Sequence, residues 1–160
     1  MNRPTDVQTR EALRARPSPI EPARLSAANI NPRTMLASDY LNHFYRATML
    51  LELMPALPDS VAELAEWQPL SYCEHFAQSA FKERELAIQA YRLTDPLIRR
   101  RLDDIADELN AILGSTIDAI RHCGAARAAA VARAAIHRVR PLTVEAAALI
   151  NGAVPTGVTE

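Results

Sequence analysis

Material for strands and for disulfide frameworks is scarce in this sequence. It holds four glycines, two cysteines and eight aromatic residues among 160. No window sustains the alternation of apolar and polar residues that a half-buried strand needs. A sheet protein is therefore disfavoured and an all-α fold expected. Cys73 and Cys123 stand far apart, each on an expected helix. Two are too few for a stapled secreted scaffold, so both read as reduced, half-buried thiols. The first residues lack an apolar run followed by a small-residue cleavage site, which predicts a cytoplasmic location. Long apolar runs are missing too. Met49 to Leu57 is interrupted by Glu52 and Pro55 and falls well short of the roughly 20 residues of a membrane span. Lysine is nearly absent: Lys82 stands alone against 17 arginines, a usage that, with abundant alanine, fits a GC-rich bacterial coding bias.

What is present is a long amphipathic stretch, Asp95 to His122. At 100° per residue, Ile98, Leu102, Ile105, Ala106, Leu109, Ile112, Leu113, Thr116 and Ile120 form one apolar arc. Arg100, Asp103, Asp104, Asp107, Asn110 and Asp118 fall opposite. Pro96 suits the first helical position behind Asp95 or Thr94 as cap, and Gly124 is expected to end the helix. Such a rod is roughly 40 Å long and needs neighbours to cover its stripe.

The expected architecture is a small bundle of about four core helices within residues 35–123. A flexible basic arm is expected over 1–34, an Ala/Arg-rich helical extension over 124–151 and a tail over 152–160. Five prolines punctuate the arm, and Asp6 to Arg16 is a stretch able to form two or three helical turns. The first core helix should run from about Leu36 or Ser38 to Met54, with Tyr40, Leu41, Phe44, Ala47, Leu51 and Met54 inward. Met49 and Leu53 project away from that stripe, as they would on a helix covered by a second chain. A short helix, Val61 to Trp67, follows, and Trp67 is expected to pin it to the bundle. Ser71-Tyr72-Cys73-Glu74 is a capping box that should open a helix to about Phe81, with Ala80 inward. Leu86 to Leu93 continues helical, with Ala90 and Leu93 inward. Ala125 to Val139 is helix by propensity, ended by Pro141, and a further short helix opens at Thr143 and stops at Asn151-Gly152.

Charge is distributed unevenly behind a net value of −1. Residues 1–34 balance to +3, residues 35–118 to −7 and residues 119–160 to +3. Arg121, Arg127, Arg133, Arg138 and Arg140 lie in a stretch of 26 residues without an acid. A basic helix of this kind suits an acidic protein surface, an anionic membrane or nucleic acid. The stretch lacks aromatics to stack on bases, so nucleic acid is not favoured. Arg99, Arg100 and Arg101 sit where the helix dipole disfavours cations. Pairing of Arg99 with Asp103, and of Arg100 and Arg101 with Asp104, would offset that.

Candidate sites are few. Asp39 and His43, four residues apart, can reach one ion, and Glu52, Glu74 and His75 are candidate further ligands on facing helices. The Glu-x-x-His spacing of helical di-iron proteins is missing, since Tyr40 and Tyr72 precede the two histidines by three. The bland alternative for His43 is a core-edge imidazole bonded to a neighbour. His75 as a phosphoacceptor lacks a nearby lysine and a small residue to make room for phosphate. Cys73-x-His75 and His122-Cys123 match neither zinc nor haem-attachment spacing. No catalytic residues are assigned and no cofactor is expected. The reading that follows is a non-catalytic cytoplasmic helical module that binds a protein partner or itself, with Met49, Leu53 and Trp67 as anchors and the Arg121–Arg140 series steering the encounter. A metal- or small-ligand-binding bundle enzyme is the second reading, and a nucleic-acid-associated regulator using the basic ends is the third.

Overall fold

A computed structural model describes residues 5–14 and 19–153, and all that follows concerns these. Among them the protein is all-α, with α1 (Asp6–Arg14), α2 (Pro22–Ala27), a 3₁₀ turn at Ser38–Tyr40, α3 (Leu41–Leu53), α4 (Ser60–Glu66), α5 (Tyr72–Gln78), α6 (Arg84–Leu93), α7 (Pro96–Arg121) and α8 (Ala125–Ile150). The only bridge pairing among these residues joins Ile30 to Ala37.

The predicted rod is α7. Asp95 caps it, its carboxylate accepting from the Leu97 amide at 2.9 Å, and every residue of the predicted arc is buried. The helix ends at His122 without a left-handed residue. Gly124 has φ −73° and ψ 163°, which is an extended N-cap for α8 rather than a stop for α7. The short turn folds α8 back along α7, so that Arg101 near the start of α7 meets Glu145 near the end of α8. α3 packs on α8 as well, and α4 and α1 rest on α7.

Propensity breaks the last helix at Pro141, but the structure runs α8 straight through it. Proline lacks the N–H that would bond the His137 carbonyl. Burial on both sides of it, by Ala135 and Val139 before and Thr143 and Ala146 after, holds the helical path regardless. A tertiary seam outweighs one lost hydrogen bond. The helix then closes with paired bonds from Gly152 N–H to Leu149 O and from Ala153 N–H to Ala148 O, a Schellman motif with Gly152 at φ +78°.

Two expected boundaries move. The division that sets 124–151 outside the core does not match the packing, because α8 supplies eight buried residues. Residues 19–34, expected in a flexible arm, pack Ile20, Leu25, Ala28 and Ile30 into the same core. Thr34 Oγ1 donates to the Ile150 carbonyl at 2.7 Å and ties that segment to the end of α8. Thr5 and Gln8 form a capping box that opens α1, a pattern as legible as Ser71–Glu74. Two inward assignments also fail: Ala80 lies beyond the end of α5, and Leu93 is 42% exposed. Leu86, Ala87 and Ala90 are the residues that α6 buries. Among the described residues no helix is long and apolar enough to cross a membrane.

Candidate functional site

Polar side chains converge where α3, the loop before α5, and α7 meet. The 3₁₀ turn delivers Asp39 and Tyr40, and the first turn of α3 delivers His43. The Ser71–Glu74 capping box fixes the start of α5 and so places His75 opposite. Leu70 is the anchor of the loop. Its carbonyl accepts from Tyr40 Oη at 2.8 Å and from Asn110 Nδ2 at 2.9 Å, which uses both lone pairs. Trp67 Nε1 donates to the His43 carbonyl at 2.9 Å, and the indole stacks on the imidazole with centroids 4.6 Å apart and planes at 17°. Trp67 therefore pins the connector, as expected.

His43 Nε2 lies 3.0 Å from Asn110 Oδ1 and 3.3 Å from the Leu70 nitrogen. Because the Asn110 amide nitrogen is turned to Leu70 O, its oxygen faces the imidazole and accepts from Nε2–H in one tautomer, whereas in the other Nε2 accepts from the Leu70 N–H. Burial lowers the His43 pKa to about 4, against the favourable bond to Asn110, so the ring is neutral at neutral pH. This is the core-edge imidazole reading. Burial also raises the phenols of Tyr40, Tyr72 and Tyr91 and keeps them protonated; Tyr40 and Tyr91 donate, while Tyr72 Oη accepts from the Ala37 amide. Asp103 accepts from Tyr91 Oη, and burial raises its pKa in spite of that bond.

The five candidate metal ligands do not gather. Asp39 accepts from Asn42 Nδ2 at 3.2 Å and from His75 Nε2 at 3.1 Å. Glu52 is taken by Arg140 at 2.6 Å, and Glu74 by the cap of its own helix. Among the described residues no group of three or more His, Cys, Asp or Glu side chains is placed to hold a metal ion. The Asp39–His75 pair orients an imidazole as a general base would be oriented, yet among the described residues no serine, threonine or cysteine side chain is hydrogen-bonded to it. The Ser79 hydroxyl donates to Phe76 O and accepts from Phe81 N–H in a local turn. Burial pushes the Cys73 thiol up, and Cys73 and Cys123 are both free.

Beside this network lies an open cleft of about 420 Å³, lined by Asn42, His43 and Arg46 of α3 and by Trp67, Gln68, His75 and Gln78. Next to it runs a ridge that the sequence reading caught only in part. Tyr45, Met49 and Leu53, spaced by four, are 45%, 50% and 37% exposed, and Leu57 follows beyond the helix end at 55%. Tyr45 was legible by the same spacing that singles out Met49 and Leu53.

The arginines behave differently from one another. Arg140 reaches Glu52 on α3, while Arg121, Arg127, Arg133 and Arg138 are exposed and have no ion-pair partner among the described residues. At 100° per residue Arg127 and Arg138 fall on one flank of α8, and Arg133 and Arg140 on the other. The predicted pairing inside Arg99–Arg101 is absent. Arg99 donates to Arg92 O and sits 5.7 Å from the Tyr91 ring centroid. Arg101 bonds Asp6 on α1 at 2.7 Å and Glu145 on α8 at 3.4 Å. Long-range carboxylates outcompete Asp103 and Asp104 because Arg101 is half-buried between three helices, where desolvation favours pairing. Compared with known proteins, the chain matches no family model, no curated protein and no solved structure.

Proposed function

We propose that this chain is a non-catalytic, cytoplasmic helical interaction module that docks a protein partner on the outer face of α3, a second copy of itself being the first case. The ridge of Tyr45, Met49 and Leu53 is the observation that carries this reading. Large apolar side chains on an otherwise polar exposed face cost solvation that a partner's burial recovers, at about 1 kcal/mol for each half-exposed side chain. A second copy fits because one molecule holds both halves of a charge complement. The unpaired arginines of α8 carry one sign, and Asp104, Asp107 and Asp118 on the outward side of α7 carry the other. Met49 and Leu53 stand at the centre, with Arg121, Arg127, Arg133 and Arg138 steering the approach.

Light scattering of the full chain across concentration tests this. The expected result is a mass that rises toward a dimer, and that returns to the monomer in Met49→Asp and Leu53→Asp with unchanged far-ultraviolet circular dichroism. A strict monomer at every concentration, together with no protein retained through the α3 ridge, overturns the reading. The splitting of the arginines between two flanks of α8 speaks against a single track along a nucleic-acid backbone.

A further inference from the structure

The cleft beside α3 holds groups that lie outside the Tyr45, Met49 and Leu53 ridge. Its aromatic wall is the end of a column of near-parallel rings: Tyr40 against His43 at 6° and 6.0 Å, and His43 against Trp67 at 17° and 4.6 Å. Trp67 is half-buried and lines the cleft. Around it stand exposed polar groups that the other described residues do not engage. The carboxamides of Gln68 and Gln78 have no hydrogen-bond partner among the described residues, and Arg46 and Glu66 have no ion-pair partner there. His75 is held in place through Asp39 and adds an imidazole edge.

We propose that this cleft binds a planar nitrogen heterocycle of the purine class, as base or nucleoside. A saturated apolar ligand would leave the amides unmatched, and a simple anion drawn to Arg46 would also face Glu66. A heterocycle whose edge alternates donors and acceptors suits both carboxamides, since glutamine pairs such an edge through its oxygen and its amide nitrogen together. Its flat face extends the ring column on Trp67, a contact worth an order of magnitude or more in affinity. The volume of about 420 Å³ lies within the range of small-molecule sites.

Trp67 is the only tryptophan, so its emission reports on the site directly. The experiment titrates the full chain with adenosine, guanosine and, for comparison, benzoate, reading Trp67 emission and confirming by calorimetry. Saturable quenching by a purine nucleoside, with Kd in the range of roughly 10 μM to 1 mM, is expected. Gln68→Ala and Gln78→Ala should each weaken it about fivefold to tenfold while the melting temperature stays put. Met49→Asp should leave it unchanged, which separates this site from the docking ridge. Quenching no greater than that of free tryptophan amide, benzoate binding as tight as the nucleosides, or indifference to both glutamine variants overturns the proposal.

Discussion

α7 and α8 are each 26 residues long and lie side by side, yet they build their shared seam from opposite materials. α7 buries Ile105, Leu109, Ile112 and Leu113 and keeps Asp107 and Asp118 exposed. α8 buries Ala128, Ala132, Ala135 and Ala146, with Val139, Leu149 and Ile150 toward its far half. One helix brings bulk and the other brings proximity. Isoleucine and leucine stabilise by the area they remove from water, whereas alanine contributes little area and instead lets a neighbour come close.

This contrast can be tested by changing each helix in its own currency. Leu109→Ala should cost the most, about 3 kcal/mol in chemical denaturation, because a fully buried leucine leaves a cavity. An effect below about 1 kcal/mol would show that α8 collapses into the space and that the bulk of α7 is dispensable. The second test uses the imidazole that α7 engages through Asn110. His43 has a folded pKa of about 4 against 6.5 in the unfolded chain. Above that upper value both states are neutral. As pH falls through the interval, the unfolded chain takes up the proton first, so stability declines, and the decline levels off below about pH 4. The loss is on the order of 3 kcal/mol over the whole interval. His43→Gln should remove that share of the acid dependence, and an unaltered pH profile would contradict it.

Ala132→Leu is the reciprocal test on α8. Adding three carbons at a 1% exposed position should cost about 2 kcal/mol by overpacking. A neutral result would mean that the seam has room and that proximity is not what alanine supplies there. The smallest expected effect is a gain. Gly114 sits inside α7, where an added Cβ would lie 3.5 Å from Pro69 Cγ, an ordinary contact. Gly114→Ala should therefore stabilise by about 0.7 kcal/mol through helix propensity, read as a raised melting temperature.

The same contrast explains what was legible in the sequence. A stripe of isoleucine and leucine announces its buried face, so α7 could be drawn residue by residue. Alanine is as welcome on a surface as in a core, and α8 therefore read as an extension beyond the core. Pro141 misled for a related reason: its cost is local and its compensation comes from the seam. Caps depend on near neighbours, and Ser71–Glu74 and Asp95 were readable for that reason. The cleft was not. His75 meets Asp39 across 36 positions and His43 meets Asn110 across 67, distances that no periodicity encodes. His43 and His75 were singled out as chemistry-bearing types, but the amides that give the cleft its character were not, since nothing local marks Gln68 or Gln78.

The bond from Thr34 to Ile150 spans 116 positions, so the loop that holds Thr34 is fastened by the last turn of α8. Until the end of α8 is in place, the Thr34 hydroxyl has no carbonyl of Ile150 to bond. Helical proteins as a class fold quickly because their contacts are local. Here the closing contact is far from local, so this loop is secured only after both ends of the bundle have come together.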